Sequence, residues 1–189
     1  MQSGLHPSIH AFQASHWDAL NPSAYPGLLH GFLSALEDSK SIGEGTGWTP
    51  LYAAVKDGDV LVGAMVCFLK SDSYGEYVFD WSWADAYHRH GLNYYPKCVT
   101  AVPFTPATGP RLLIQDGYDR AVVTELLIKT LKSELSDQIS SWHILFPDEE
   151  TSHDLFTQGS WLKRHGVQFH WFNQGFETFD DHLATFNSK

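Results

Sequence analysis

Between Tyr74 and Tyr95 the chain crowds carboxylates among aromatic rings: Tyr74, Glu76, Tyr77, Phe79, Asp80, Trp81, Trp83, Asp85, Tyr87 and His88, with Tyr94-Tyr95-Pro96-Lys97 directly after. A carboxylate bordered by indole rings is partly dehydrated and attracts a cationic amine more strongly than it would in bulk water. The rings themselves offer a face for a sugar or an ammonium. A plainer reading of the same residues stays open: Phe79, Trp81 and Trp83 fill a core or a rim, and the acids cap a helix or face solvent. The segment keeps neither a helical nor a strand period, and the window Ser82–His90 reads as a short helix on a binding rim.

Other reactive residue types carry less. Eleven histidines are present, yet His88 and His90 stand only two apart, and His143, His153, His165 and His170 share no tight spacing. No Cys-x-x-Cys or His-Glu-x-x-His pattern occurs, so no metal site is expected. His170, in the alternating run Val167–Trp171, reads as a hydrogen-bonded structural histidine. Cys67 and Cys98 have no base or orienting group in the sequence around them and read as reduced core thiols, which places the protein in the cytoplasm. A net charge of −10, with only Lys163-Arg164-His165 as a basic cluster, argues against DNA and against anionic membrane surfaces. The apolar run Val60–Leu69 is broken by Gly63 and is far too short to span a bilayer. The first residues, Met-Gln-Ser-Gly-Leu-His-Pro, show no leader pattern.

The elements that must position the aromatic–acid segment are legible on either side of it. Residues 1–20 are poorly patterned. Leu28, Leu29, Phe32, Leu33 and Leu36 recur at helical spacing, in a helix starting near Asn21-Pro22 and ending before the turn Gly43–Gly47. Leu51–Lys56 and Val60–Lys70, joined by Asp57-Gly58-Asp59, predict an antiparallel hairpin. Lys97–Pro103 reads as a buried strand and Thr105–Pro110 as a rigid loop. A long helix follows, with Val123, Leu127 and Leu131 as its stripe. Then come a strand at Trp142–Phe146, a helix at Thr151–Thr157, a strand at Gly166–Phe172, and a helix carrying Phe179, Leu183 and Phe186. Thr178 and Asp181 suit a capping box at its start. A mixed α/β fold, with a central mixed sheet flanked by helices, buries all of these stripes. The Phe179–Phe186 stripe should either fold back on the sheet or present an apolar patch to a partner.

The block Ser71–Tyr87 resembles a bacterial group of N-acyltransferases described as FemAB-like, or as peptidoglycan biosynthesis/recognition proteins. The resemblance continues in Tyr94-Tyr95-Pro96-Lys97, in Val102-Pro103-Phe104-Thr105-Pro106, and in Thr108-Gly109-Pro110-Arg111. It returns in Gln168-Phe169-His170-Trp171 with Asn173 and Gly175, and in Phe179-Asp180-Asp181, and it runs from about Leu33 to the last residue. It implies a GNAT-like acyl-CoA N-acyltransferase fold, duplicated in longer members. Residues 1–189 would then be a single GNAT-like domain, the N-terminal half of a two-module protein, whose C-terminal half or a second copy covers the 179–186 stripe.

The implied activity is transfer of an acyl or aminoacyl group onto an amine, linked to cell-wall precursors. The donor would be an acyl-CoA or an aminoacyl-tRNA, with no cofactor tightly bound, and the acceptor a small molecule, an amino-sugar or a peptide. Such transfer needs a deprotonated nucleophile, a polarised carbonyl and a proton for the leaving group. Under this resemblance Glu76, Asp80 or Asp85 orients or deprotonates the ammonium, and Tyr95 donates the proton. Tyr74, Trp81, Trp83, His88, Tyr94 and Thr105 line the substrate, while Lys97 and Arg111 meet a carboxylate or phosphate. The donor would enter between splayed strands Lys97–Pro103 and Trp142–Phe146, beside Thr108, Gly109 and Arg111. Its pyrophosphate would lie on N–H groups at the start of the long helix near Tyr118. Pro110 has no N–H to offer there, and Asp116 opposes a phosphate. A ligand-recognition or structural half-domain without chemistry is the alternative.

Overall fold

The computed structural model of the chain describes residues 1–78, 80–159 and 161–186. A strand, β1 (Gln2–His6), leads through two short 3-10 turns and two helices, α1 (Ala14–Asp18) and α2 (His30–Asp38), into β2 (Trp48–Asp57) and β3 (Val60–Lys70). Then follow α3 (Trp81–Arg89), β4 (Lys97–Thr100), β5 (Leu113–Ile114), α4 (Arg120–Leu135), β6 (Trp142–Ile144), α5 (Glu149–Thr157) and α6 (Phe179–Leu183). The hairpin of β2 and β3 is the organising pair, turned at Gly58 in the left-handed region (φ +59°). β1 adds antiparallel to β2, and β4 and β5 both add antiparallel to the other edge of β3. β6 joins β4 in parallel. The expected mixed sheet flanked by helices is therefore what forms.

Period-two alternation sends each strand's residues to two separate cores. Trp48, Tyr52, Ala54, Val66 and Phe68 face Ile9, Phe12, Trp17 and Leu33 on one side. Ala53, Val55, Met65, Cys67 and Cys98 face Val123, Leu127 and Leu131 of α4 on the other. A bulge at Val55/Lys56 leaves Val62 without an opposite residue, so Leu61 and Ala64 share a face although three apart. Gly63 is required by packing: a Cβ there would lie 2.3 Å from Val123 Cγ1, so its absence lets α4 sit directly on β3. Leu127 is fully buried in the same layer. Leu127→Ala is expected to lower stability by about 2–5 kcal/mol. Urea unfolding checks this, and an unchanged midpoint would overturn the packing of α4.

Several elements differ from the sequence reading. The first twenty residues are structured: β1 closes one sheet edge, and Ile9, Phe12, Trp17 and Leu20 enter the core. The helix read as starting at Asn21-Pro22 begins at His30, after a 3-10 turn at Pro26–Leu28. Pro50 is tolerated inside β2 because β1 pairs only with Tyr52–Lys56, leaving that edge free at Pro50. β4 ends at Thr100, three residues before the proline, and β5 resumes the line along β3 after an excursion through 101–112.

Gly166–Phe172 is not a strand; it has no ladder partner among the described residues, and Phe169 is 99% exposed. His170 is exposed, with its Nε2 3.3 Å from Gln168 Oε1. α6 forms with the Thr178–Asp181 capping box. Its stripe does not fold back on the sheet: Phe179, Leu183 and Phe186 are all exposed.

Candidate functional site

The aromatic–acid segment closes over one end of the sheet, where β3 ends at Lys70 and β4 begins at Lys97. The two lysines are opposite each other in the ladder and both are fully buried. Alternation places Lys70 in phase with Val66 and Phe68, pointing it into the core face rather than toward solvent. His143 of β6 lies opposite Val99 and so shares that face.

Two local features turn carboxylates inward to meet these cations. Gly75 (φ +76°) and Tyr77 (φ +59°) both take left-handed backbone on either side of Glu76. Gly75 also permits a close approach, since a Cβ there would lie 2.7 Å from the Phe104 ring. Asp80 occupies the N-cap position of α3, yet its side chain makes no capping hydrogen bond. It is drawn to Lys97 instead.

The resulting cluster is centred on Lys97 Nζ, whose three hydrogens go to Ser73 Oγ (2.8 Å), Glu76 Oε2 (2.8 Å) and Asp80 Oδ2. Tyr94 OH donates to the same Asp80 oxygen at 2.6 Å and lies 3.4 Å from His143 Nε2. Ser73 Oγ is 2.8 Å from Tyr95 OH, and Ser141 Oγ is 2.9 Å from His143 Nε2. Lys70 Nζ donates to the Tyr74 carbonyl at 3.2 Å, lies 3.6 Å from Asp72 and sits 3.9 Å above the Trp48 ring. Both carboxylate side chains are 1% exposed. Glu76 Oε1 and Asp80 Oδ1 nevertheless have no hydrogen-bond partner among the described residues.

The two acids are driven apart in proton affinity. Burial pushes Glu76 up, and Lys97 only partly offsets it. Burial also acts on Asp80, but Lys97 and the hydroxyls of Ser73 and Tyr94 together outweigh it and hold the carboxyl below its usual value. Burial and Asp80 raise the Tyr94 phenol, and burial raises that of Tyr95. His143 is lowered to about 4 by burial and by Lys97, so its imidazole is neutral at neutral pH. Burial lowers Lys70 as well.

Of the residues singled out in the sequence, Glu76, Asp80, Tyr94, Tyr95 and Lys97 come together here. The carboxylates that Lys97 meets are the chain's own, Glu76 and Asp80. Tyr74, Trp81 and Trp83 form an exposed rim, with Tyr74 and Trp81 in edge contact at 5.3 Å. Asp85 and His88 face solvent on α3. Thr105 bonds the Pro103 carbonyl, and Thr108 is exposed.

Arg111 is buried, with its guanidinium donating to the carbonyls of Leu145, Pro110 and Ala107, so it braces the 101–112 excursion. Gly109 bridges to Pro147, and its N–H donates to the Phe146 carbonyl, filling the place where an opening between the two strands was expected. Those strands are paired from Cys98–Trp142 to Thr100–Ile144. At the start of α4, Asp119 Oδ1 accepts from the N–H groups of Ala121 and Val122, so a carboxylate of the chain stands where a pyrophosphate was expected.

Sequence reasoning gave no role to Ser73, Lys70, Ser141 or His143. Only Lys70 left a signal, as a lysine in phase with core positions. The other three depend on strand register and loop closure. Among the described residues, no group of three or more His, Cys, Asp or Glu side chains could hold a metal ion, and no helix is long and apolar enough to cross a membrane.

No curated protein and no solved structure matches the chain significantly. A family model described as FemAB-like, peptidoglycan biosynthesis/recognition, matches residues 8–189. The mixed sheet flanked by helices is consistent with the acyltransferase-like fold that this family implies. The match takes in every residue of the Lys97 cluster, and the chain belongs to the FemAB-like family.

Proposed function

We propose that the protein transfers an acyl or aminoacyl group onto an amine acceptor, with Glu76, Asp80 and Lys97 at the reaction site. The family points to acyltransferase chemistry, and its description to acceptors related to cell-wall precursors, an amino-sugar or peptide amine. One observation carries the assignment to this site: two buried carboxylate oxygens, Glu76 Oε1 and Asp80 Oδ1, lack partners. A primary ammonium supplies donors to both. The opposed shifts divide the work, Glu76 as proton acceptor and Asp80 as ionised anchor.

The ammonium gives a proton to Glu76 and its nitrogen attacks the donor carbonyl. The C–N bond forms as the bond to the thiol or alcohol leaving group breaks; Tyr95 protonates that group, and the new amide nitrogen sheds its second proton to solvent. The carboxylates are closed off, so the Ser71–Val78 cover must shift to admit substrate. α3 has no buried residue to resist that shift. The self-capped start of α4 favours a donor held elsewhere than on that helix. The buried free thiols of Cys67 and Cys98 suit a cytoplasmic setting.

Glu76→Gln keeps the contact with Lys97 but cannot accept the proton. Against a panel of acetyl-CoA, longer acyl-CoAs and aminoacyl-tRNA with amine acceptors, turnover is expected to fall about 10²–10⁴-fold. The same variant has a stability signature. A folded Glu76 with a raised pKa binds more protons than the unfolded chain, so the native protein loses stability as pH rises past the ordinary glutamate value of about 4.3. Stability of Glu76→Gln relative to native should therefore grow from that pH upward. Full turnover by this variant would move the base elsewhere. The exposed rim of Tyr74, Tyr77, Trp81 and Trp83 favours a second reading, ligand recognition without transfer. Saturable amine binding with no product from any donor is its expected result.

A further inference from the structure

An unbroken hydrogen-bonded chain crosses the buried cluster. One limb runs from Lys97 Nζ to Ser73 Oγ (2.8 Å) and on to the half-buried Tyr95 OH (2.8 Å). The other runs from Lys97 to Asp80 Oδ2, to Tyr94 OH (2.6 Å) and to the half-buried ring of His143 (3.4 Å). Ser73, Lys97, Asp80 and Tyr94 between the ends are buried.

Valence limits the donor directions. Lys97 only donates, so Ser73 accepts from it and keeps its own hydrogen free to turn to Tyr95. Tyr94 spends its single hydrogen on Asp80, so its link to His143 requires the imidazole Nε2–H to donate. The Tyr94 and Lys97 donations converge on Asp80 Oδ2, and that link turns toward Lys97 only once Lys97 has given a proton to Ser73 and holds a lone pair. Glu76 and Lys70 flank the centre without joining the chain, and Arg164 is the other charge acting on His143.

We infer that this chain is a proton wire, loaded from solvent at His143 and discharged at Tyr95. On discharge, Tyr95 gives its proton to a leaving-group anion, Ser73 gives its proton to the Tyr95 oxygen, and Lys97 gives one to Ser73, becoming a neutral amine. On reloading, the Tyr94 proton passes through Asp80 Oδ2 to Lys97, the His143 Nε2 proton passes to Tyr94, and solvent protonates Nδ1. The ring regains its first tautomer when Ser141, 2.9 Å from Nε2, relays a proton there and Nδ1 releases its own. One proton enters for each one delivered. Delivery to a leaving group rests on the acyl-transfer reading; the wire itself does not.

The test therefore needs no donor or acceptor. It follows exchange of the Lys97 ammonium hydrogens with water, by NMR on the lysine-labelled full chain. Tyr95→Phe closes the discharge limb and leaves only the His143 limb. Adding Tyr94→Phe or His143→Gln to it should then slow exchange by about tenfold or more. Destabilisation cannot mimic this, because easier opening of the fold speeds exchange. Added imidazole should restore exchange in Tyr95→Phe/His143→Gly. Unchanged exchange in both double variants, or no response to imidazole, overturns the wire. A native protein that transfers no acyl group while showing these slowings overturns the proposed reaction alone.

Discussion

Lys97→Met is expected to cost about 3–5 kcal/mol of stability at neutral pH, because it leaves two buried carboxylates without their counter-charge. Methionine fills similar volume, so most of the loss is electrostatic rather than a cavity. The sign of the pH dependence follows from the two acids. In the native protein the depressed Asp80 contributes stability present above the ordinary aspartate value of about 3.9 and lost as pH falls through its lower folded value. Without Lys97, burial is opposed only by the Ser73 and Tyr94 hydroxyls at Asp80 and by Lys70 at Glu76, so both folded pKa values rise and the variant is penalised as pH rises above about 4. The gap between native and variant should thus be wide at pH 7 and narrow toward pH 4. Urea unfolding across that range measures it. An equal loss at every pH would assign the cost to packing and remove the ion cluster from the account.

Arg111→Lys is expected to lower stability by about 2–4 kcal/mol, although it keeps the charge and most of the length. Three carbonyls receive three separate nitrogens of the planar guanidinium, at 2.9 Å for Leu145 and 2.8 Å for Pro110 and Ala107. A single ammonium cannot reach all three, and at least one buried acceptor goes unpaired. The effect should be seen in chemical unfolding, with acyl-donor binding unchanged in the surviving folded protein. The reverse pattern, unaltered stability with lost donor affinity, would return Arg111 to an anion-binding role.

Local pattern alone determined the hairpin of β2 and β3, the buried stripe of α4, the strand at Trp142 and the capping box of α6. Each rests on contacts a few residues apart, a period of two or 3.6, a turn glycine or a cap, which the chain carries in its own order. The candidate site was half legible for the same reason: Glu76, Asp80, Tyr94, Tyr95 and Lys97 fall within one dense stretch. What that stretch could not show is which acid turns inward. Asp80 and Asp85 look alike in sequence, and only the choice of Asp80 to leave its N-cap role for Lys97 separates them.

His143 of β6 and Ser141 just before it join from more than forty residues away, through a parallel register with β4 that no local pattern encodes. Arg111 read as an anion site because its carbonyl partners, including one 34 residues on, exist only once the 101–112 excursion has closed. Gly166–Phe172 shows the converse. Its alternation meets the requirement for a strand, but a strand exists only through hydrogen bonds to a neighbour, and among the described residues the tertiary structure supplies none.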